Sequence, residues 1–394
     1  MKQSFYSQLD TSEKYIMICC FFMFAVNGLY AMSLGSLLPL ISAEYGLSNT
    51  VSGALISAHQ AGNLAAGFLA GLLPLYIGRK RALLFLSSFV IFGFIIMVLT
   101  GNPIWLIIGF LFTGISRGSI SNFNNAIVNE VSGGSMSALN FLHSIFAVGA
   151  LLAPFMIILS TGAAGDDGWK IAALIIAGFV SLSVLLFSRA DIKDVAIGEK
   201  KEKLSYKFLK NKRLWFNVGI LFFYLCVEAT IMGWLVSYFV NAEIMSRQQA
   251  QSLASLLWLV ILIGRLSIVF TRDRISKKYI LIMATSGTAI FYVTLLLNRD
   301  VSIITLAIAG LGFSMASIYP TIISNVSKTI KDYPQSLGVL LLISGIGAIA
   351  MPIITGALSD RFGVLAGMSA VVAAIILMLV FVVLEVTGRT GDGV

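Results

Sequence analysis

Residues 139–154, LNFLHSIFAVGALLAP, form an apolar stretch whose pattern returns in residues 337–352, LGVLLLISGIGAIAMP. Both copies contain Gly-Ala-x-x-x-Pro, and the two motifs are separated by 198 residues in a chain of 394. Two further matches share this separation: Gly114 with Gly312, and Ile77–Lys80 with Ile275–Lys278. A repeat of this length predicts a chain built from two similar halves.

The composition of the chain places both halves in a membrane. Hydrophobic residues make up 58% of the sequence and charged residues 11%, whereas a soluble domain has roughly 25% charged residues. These values exclude an ordinary soluble enzyme, a disordered protein, a coiled coil and a disulfide scaffold. Cys19, Cys20 and Cys226 lie in apolar runs without a C-x-x-C spacing, so we expect them to be small buried hydrophobic residues.

Twelve runs of the sequence are long and apolar enough to cross a bilayer, which takes about 20 residues. We predict spans at residues 15–40, 50–75, 82–100, 103–127, 136–161, 169–188, 214–240, 248–271, 278–297, 301–325, 334–358 and 364–387. The first run has no small-residue cleavage site, so we expect a retained span rather than a signal peptide. The predicted fold is an all-α polytopic membrane protein with twelve transmembrane helices in two pseudo-symmetric six-helix bundles. These bundles are residues 1–188 and 214–394, joined by a cytoplasmic linker, residues 189–213.

The distribution of lysine and arginine predicts the orientation of the spans. With the N-terminus in the cytoplasm, 21 of the 27 Lys and Arg residues fall in cytoplasmic segments, nine of them in the linker. Four fall in external segments, and Arg117 and Arg265 lie within spans. Because cytoplasmic loops carry the positive excess, we expect a multi-pass protein of the cytoplasmic membrane with both termini in the cytoplasm. The same distribution accounts for the net charge of +9 without a nucleic-acid partner.

The order of the spans, the central linker and the basic loops after spans 2 and 8 resemble the major facilitator superfamily over nearly the whole chain. The loop signature of that family is incomplete here: after Gly71 the first copy has Leu75 and Tyr76 where an acid is expected, whereas the second copy keeps Asp273 and lacks the glycines. The resemblance implies the major facilitator fold, alternating access and a cavity lined by spans 1, 4, 7 and 10. Gating or structural roles are expected for Arg79, Lys80, Arg265, Asp273 and Arg274.

Span 5 resembles the fucose–proton symporter family in the pattern Leu139-Asn140-x-Leu142-His143-x-x-Phe146-x-x-Gly149-Ala150-x-x-x-Pro154. Glu228, Gly233-Trp234 and Tyr238 of span 7 and Gly264-Arg265 of span 8 fit the same family. This resemblance implies proton-coupled uptake of a monosaccharide. That family carries an acid in span 1 and another in span 4, where this chain has Asn27 and Ser121, so its proton-binding pair is not carried over. Either Glu228 takes that role, or transport is facilitated, or another ion is coupled.

Three charged residues lie well inside predicted spans: Arg117, Glu228 and Arg265. A charge at the bilayer centre costs about 2.5–3.5 kcal/mol on insertion scales, so each is expected to face a cavity or a partner. The resemblance implies that Arg117 and Glu228 lie on opposite bundles and face one another. Two interpretations are open, a substrate and proton site or a structural ion pair. We predict the site, with Glu228 as the proton-coupling residue.

Neutral polar and aromatic residues on the spans supply the donors, acceptors and ring faces that a sugar requires. Together with Arg117 and Glu228, the predicted substrate-binding residues are Asn27, His59, Asn63, Ser121, Asn122, Asn125, Asn140, His143, Tyr224, Trp234, Tyr238, Trp258 and Tyr319. The helical period places Arg117, Ser121 and one or both of Asn124 and Asn125 on one face of span 4. Asn and His can equally bond neighbouring helices, and the aromatic residues can simply pack.

Glycine and proline occur where helices must pack closely or bend. Gly62, Gly67 and Gly71 are predicted to allow close contact between helices. Pro39, Pro154, Pro320 and Pro352 lie inside spans and can kink them.

Motifs for catalysis and metal binding are missing from the sequence. It contains no G-x-x-x-x-G-K-[ST], G-x-S-x-G or H-E-x-x-H, and its two histidines, His59 and His143, lie on different spans. We therefore expect no enzyme activity, no cofactor and no metal. The expected partners are a small-molecule substrate, a proton as coupling ion and the lipid bilayer, around a monomeric chain.

The predicted function is secondary active transport of a small polar solute, with a monosaccharide as the favoured cargo. An organic-anion carrier for carboxylates or sugar phosphates is the alternative, because Arg117 and Arg265 could clamp an anion. A drug efflux pump is the third transport function considered. A non-transporting sensor would need an added soluble domain and a lipid enzyme would need clustered catalytic groups, and we expect neither.

Overall fold

The structure, a computed structural model, describes residues 9–192, 207–271 and 275–388, which are almost entirely α-helical. The helices are α1 (Thr11–Tyr45), α2 (Asn49–Leu72), α3 (Pro74–Ile77), α4 (Arg79–Leu99), α5 (Pro103–Val131), α6 (Met136–Ala164), α7 (Gly168–Ser188), α8 (Lys212–Asn241), α9 (Arg247–Thr271), α10 (Lys277–Leu297), α11 (Val301–Met315), α12 (Ile318–Asn325), α13 (Ser327–Asp332), α14 (Gln335–Phe362) and α15 (Val364–Gly388).

Each predicted span coincides with helix, which confirms the predicted all-α fold. Among the described residues, 11 helical segments are long and apolar enough to cross a membrane. One of them, Ser137–Ser188, contains both span 5 and span 6, which the short turn Gly165–Asp167 separates. Residues 193–206 of the predicted linker, and residues 272–274 with the candidate gating residues Asp273 and Arg274, lie outside the described residues.

Helix α1 extends beyond its predicted span because both of its ends are capped. The Asp10 carboxylate accepts a hydrogen bond from the N–H of Glu13 at 2.7 Å, and the Glu13 carboxylate accepts one from the N–H of Asp10 at 3.0 Å. At the other end Gly46 is left-handed (φ 60°), and the N–H of Leu47 donates to the carbonyl of Ser42 at 3.0 Å. These bonds satisfy backbone groups that the helix itself leaves free.

Helix α8 ends in the same kind of turn. Glu243 is left-handed (φ 53°), and the N–H of Ile244 donates to the carbonyl of Phe239 at 3.0 Å. Glu243 is the one non-glycine residue with a positive φ among the described residues. Because its Cβ crowds the backbone in this conformation, the turn carries roughly 1 kcal/mol of strain that Gly46 avoids.

The helices form two compact units. Unit 1 contains the described residues of Met1–Leu47 and Ala58–Gly198, and unit 2 contains those of Ser48–Ser57 and Glu199–Val394. The first turns of α2 therefore group with the later helices, although the rest of α2 belongs to unit 1. The predicted boundaries at residues 188 and 214 stay a prediction.

Close helix contacts in unit 1 are made at glycines. A Cβ on Gly149 of α6 would collide with the carbonyl of Ala25 on α1, and a Cβ on Gly114 of α5 would collide with the carbonyl of His59 on α2. Gly62 of α2 faces the backbone of α5 in the same way, as predicted. The prediction is wrong for Gly67 and Gly71, since no atom of the described residues lies within 4 Å of a Cβ position at either glycine.

Unit 2 repeats these contacts. Gly347 of α14 lies against the carbonyl of Phe222 on α8, and Gly312 of α11 lies against the carbonyl of Leu257 on α9. Gly312 and Leu257 follow Gly114 and His59 by 198 residues each. The repeat predicted from the sequence is thus a repeat of helix contacts, since only glycine lets two backbones approach so closely.

Helix α14 holds the start of α2 within unit 2. The Asp360 carboxylate accepts hydrogen bonds from the N–H of Asn49 at 2.9 Å, the N–H of Thr50 at 2.7 Å and the Thr50 hydroxyl at 2.5 Å. One turn before Asp360, Gly356 lies against the carbonyl of Asn49. A carboxylate at a helix N-terminus is stabilised by free N–H groups and by the helix dipole.

Replacing Gly356 with alanine is expected to destabilise unit 2, because the added Cβ falls on the backbone of Asn49. Overpacking of this kind costs about 1–3 kcal/mol. Gly338→Ala on the same helix is the matched control, since nothing lies within 4 Å of its Cβ position; it should be neutral or raise stability by up to about 1 kcal/mol. Thermal unfolding of the two purified variants measures the difference. Equal melting temperatures would contradict the close contact.

Candidate solute-binding site

Unit 1 brings the predicted residues of spans 1 and 4 into contact. Asn27 of α1 is fully buried, and its amide nitrogen donates to the Ser121 hydroxyl at 3.1 Å and lies 3.5 Å from the Arg117 carbonyl. Asn27 and Ser121 stand where the fucose–proton symporter resemblance would place two acids. Here they form a neutral amide–hydroxyl bond.

His59 connects α2 to the same part of α5. The Thr113 hydroxyl donates to the Phe110 carbonyl at 2.7 Å, so it accepts from the His59 ring, whose Nδ1 lies 2.9 Å away. His59 Nε2 then carries the lone pair, and Arg117 Nη1 donates to it at 3.3 Å. This pattern assigns a neutral, Nδ1-protonated imidazole to a residue that is only 4% exposed.

Thr113 was not among the predicted site residues. The only sequence signal for it is its position one turn before Arg117 on the same face of α5. A threonine inside an apolar run gives no other indication of its partner. The structure supplies that partner by packing α2 on α5 at Gly114.

The asparagines of span 4 differ in their surroundings. The amide nitrogens of Asn122 and Asn125 donate to carbonyls of their own helix, those of Gly118 at 2.9 Å and Ser121 at 2.8 Å. Asn122 is exposed and Asn125 half-buried, whereas Asn124 is fully buried and neither of its amide atoms has a hydrogen-bond partner in the described protein. Asn63 of α2 is half-buried, and its amide oxygen lies beside Gly118.

Two predicted residues of span 5 lie on the exposed side of α6. Asn140 and His143 are both exposed, and the His143 ring packs edge-to-face on Phe24 with ring centroids 5.5 Å apart. Their substrate contacts stay a prediction.

Unit 2 contains a second polar cluster, built on α8 and the end of α11. The Tyr224 hydroxyl donates to Oε1 of Glu228 at 2.8 Å and lies 3.4 Å from the carbonyl of Met315. Met315 is the last residue of α11, and span 10 resumes as α12 at Ile318. The break lies four residues before Pro320, which has no N–H to offer the Ala316 carbonyl.

Arg265 and Tyr319 belong to the same cluster. Gly264, the residue before Arg265, packs against the end of α11: its Cβ position lies 2.7 Å from the Ala316 side chain and 3.2 Å from the Phe313 carbonyl. Helix α9 at this level therefore lies beside the break in span 10, which Met315 and Tyr319 flank. Glu228 and Arg265 are half-buried, and Tyr319 is 37% exposed. Unit 2 thus holds a carboxylate, a guanidinium and two phenols in one group.

The other aromatic residues predicted for the site in unit 2 are packed into its interior. Trp234 is fully buried and its indole N–H donates to the Pro352 carbonyl at 3.2 Å. Tyr238 is 1% exposed and its ring lies 5.3 Å from that of Phe239, while Trp258 is 7% exposed. Substrate contacts of these three residues stay a prediction, and their burial favours packing.

Comparison with known proteins identifies the family. The sequence profile of the Major Facilitator Superfamily matches residues 20–333. The chain belongs to this superfamily. It is 22% identical to a Protein TsgA homolog of Buchnera aphidicola subsp. Baizongia pistaciae (strain Bp), over 93% of this chain and 95% of that protein.

Solved structures share the Major Facilitator fold over nearly the whole chain. One is a bacterial homolog of the human lysosomal transporter Spinster in an inward-facing and occupied conformation, with a TM-score of 0.78, 14% identity and coverage of 97% and 98% of the two chains. Another is a D-xylose–proton symporter, with a TM-score of 0.75, 16% identity and coverage of 94% and 96%. The superfamily prediction is confirmed, whereas the resemblance to fucose–proton symporters stays a prediction.

The basic loops of this Major Facilitator chain hold helix ends together. Arg79 at the start of α4 is 7% exposed and pairs with Glu130 at the end of α5, Nη1 to Oε2, at 2.6 Å. Its repeat partner Lys277 starts α10 and donates to the carbonyl of Ser324, near the end of α12, at 3.1 Å. Lys80 is half-buried. Glu130 does not stand out in the sequence, because an acidic residue at the end of a span looks like an ordinary surface acid.

The described residues contain no group of three or more His, Cys, Asp or Glu side chains that could hold a metal ion. The polar groups of both clusters are amides, hydroxyls, an imidazole, a carboxylate and guanidinium groups. Such groups bind hydroxylated or charged organic solutes.

Replacing Thr113 with valine is expected to destabilise unit 1, because the buried N–H of His59 loses its acceptor. An unsatisfied buried donor costs about 1–3 kcal/mol. Thr230→Val is the matched control: Thr230 is also fully buried, and its hydroxyl donates to the Cys226 carbonyl of its own helix at 2.8 Å. Denaturation of both purified variants checks the prediction. If Thr113→Val were no less stable than Thr230→Val, the assigned histidine tautomer would be wrong.

Proposed function

We propose that this Major Facilitator protein moves a small polar solute across the cytoplasmic membrane by alternating access, coupled to a proton. The observation that carries the proposal is the presence, inside the membrane-spanning helices of each unit, of a cluster of hydrogen-bonding side chains. Lipid offers such groups no partners, so polar side chains in spans usually mark a substrate or ion path.

The donors and acceptors of the clusters support a monosaccharide as the solute. Asn27, Ser121 and Asn125 of unit 1 and Tyr224 and Tyr319 of unit 2 supply amides, hydroxyls and ring faces. A sugar needs several such groups at fixed positions, together with an aromatic face for its ring. One solved structure of the same fold is a D-xylose–proton symporter, which is consistent with this choice.

Glu228 is the proposed proton carrier. When its carboxylate is ionised, it accepts the hydrogen bond of Tyr224 at 2.8 Å. Once protonated, it is a poorer acceptor, and the Tyr224 hydroxyl can turn to the Met315 carbonyl, 3.4 Å away. Because Met315 precedes the break in span 10, proton binding would change a contact at the point where that span can bend.

An organic anion is the second candidate solute. The two guanidinium groups, Arg117 in unit 1 and Arg265 in unit 2, favour it because guanidinium binds carboxylate and phosphate in a two-pronged geometry. Both termini are proposed to face the cytoplasm, on the distribution of Lys and Arg along the sequence.

Replacing Glu228 with glutamine is expected to abolish accumulation of solute against its gradient while leaving exchange of solute intact, because the amide cannot carry a proton. Uptake and solute-driven alkalinisation would be measured in proteoliposomes containing the purified protein. Glu243→Gln, an exposed carboxylate just beyond α8, is the matched control and should behave as wild type. Proton coupling at Glu228 would be refuted if Glu228→Gln still accumulated solute in response to a pH gradient.

A further inference from the structure

Arg265 lies inside a membrane-spanning helix and its side chain is directed inward. It is on α9, within the apolar segment Arg247–Ser267, six residues before the end of the helix at Thr271. Six residues correspond to about 9 Å along the axis. Helical side chains lean towards the N-terminus of their own helix, so the guanidinium extends from this level further into the membrane rather than out towards the nearer surface. The preceding residue, Gly264, packs against Ala316 at the break in span 10, and the Met315 carbonyl at this break lies 3.4 Å from the Tyr224 hydroxyl.

The guanidinium of Arg265 takes part in no hydrogen bond and no ion pair with the described residues. Arg265 is half-buried. Five N–H donors in a fixed planar arrangement are therefore available at this position. A charge inside a span is stable only when a cavity or a binding partner compensates it.

Glu228 carries the opposite charge in the same cluster, yet it does not neutralise Arg265. No nitrogen of Arg265 lies within the 4.0 Å of a Glu228 oxygen that would make an ion pair in the described structure. The hydrogen bond that Glu228 does accept comes from Tyr224, at 2.8 Å. The cluster thus keeps a carboxylate and a guanidinium apart, with two phenols beside them.

We infer that Arg265 binds the carboxylate of a monoanionic, hydroxylated solute, a sugar acid, while Tyr224, Tyr319 and Glu228 bind its hydroxyl groups. The inference rests on the proposed function and selects the second of its two candidate solutes, the organic anion. Guanidinium binds a carboxylate by two parallel N–H···O bonds, a geometry that lysine cannot reproduce. A doubly charged phosphate fits less well, because a single guanidinium balances one negative charge and not two.

The charge balance of transport follows from this assignment. One proton on Glu228 and one carboxylate on Arg265 cross together, so a transport cycle moves no net charge. A neutral sugar carried with one proton would instead move one positive charge. The membrane potential therefore distinguishes the two solutes, whichever sugar acid is transported.

Binding is tested first, by thermal shift of the purified protein with two matched pairs: D-glucose with D-glucuronate, and D-galactose with D-galacturonate. Each acid differs from its sugar only at C6. At least one acid should raise the melting temperature at concentrations where its neutral partner does not. Arg265→Lys, which keeps the charge, should weaken that binding at least tenfold, and Arg265→Gln should abolish it.

Arg299→Gln is the control for loss of one arginine, because Arg299 is exposed and donates to the Ala242 carbonyl at 3.4 Å, outside the cluster. It should bind the acid as wild type does. If Arg265→Gln fails to fold, the binding of the acid to Arg265→Lys decides whether the inference holds. Equal binding of sugars and acids, or wild-type affinity in Arg265→Lys, would overturn the inference, as would Arg265-dependent binding of D-glucose 6-phosphate alone.

Transport is tested in proteoliposomes by uptake driven by a pH gradient, with a potential imposed by potassium and valinomycin. Uptake of the acid should change by less than about twofold when the interior is made negative. An increase of about tenfold would overturn the inference but leave the proposed solute transport standing. If neither sugars nor acids bind, exchange or move protons, both the inference and the proposed function fail.

Discussion

The polar clusters depend on helices that approach each other at glycines. On α5, Gly114 meets the His59 carbonyl, and this contact brings Thr113 and Arg117, on either side of Gly114, within reach of the His59 ring. On α11, Gly312 meets the Leu257 carbonyl of α9 in the same way, and the Met315 carbonyl lies one turn further along. A Cβ at either glycine would separate the helices, and side chains as short as threonine could no longer bond across the gap. The polar contacts of the two units therefore depend on the close packing of their helices.

The charged side chains of the two clusters have different kinds of partner. In unit 1, a guanidinium is held by a neutral imidazole, whose own proton is fixed by Thr113. In unit 2, the Glu228 carboxylate accepts from the Tyr224 hydroxyl and forms no ion pair with Arg265 in the described structure. In a buried ion pair the two charges already compensate each other, so neither is available to bind a proton or a solute. Charges that are supported by neutral groups keep their ability to bind a proton or a solute.

Much of the fold could be predicted from the sequence because it depends on local properties. The twelve spans follow from apolar run length, and the repeat follows from one separation shared by Gly114, Gly149 and their partners. Of the site, the contact of Asn27 with Ser121 and that of Tyr224 with Glu228 join residues that were all predicted. These residues stand out because they are polar within apolar helices.

Other features depend on neighbours that the sequence does not specify. Thr113 and Glu130 are ordinary residues whose partners, His59 and Arg79, come from other helices. The prolines within spans look alike, yet span 10 divides into two helices near Pro320, while α1, α6 and α14 run through Pro39, Pro154 and Pro352. Whether a helix tolerates a proline depends on what surrounds the carbonyl that it leaves free.

The two left-handed turns show where the halves of the chain differ in length. Gly46 and Glu243 occupy the same place at the ends of α1 and α8, and they are 197 residues apart. His59 and Leu257, which meet equivalent glycines, are 198 residues apart. The second half therefore contains one more residue between the end of its first span and the middle of its second. A single-residue length change in that stretch accounts for the increase of the separation from 197 to 198 residues. The later equivalent residues of the two halves, such as Gly114 and Gly312, keep the separation of 198.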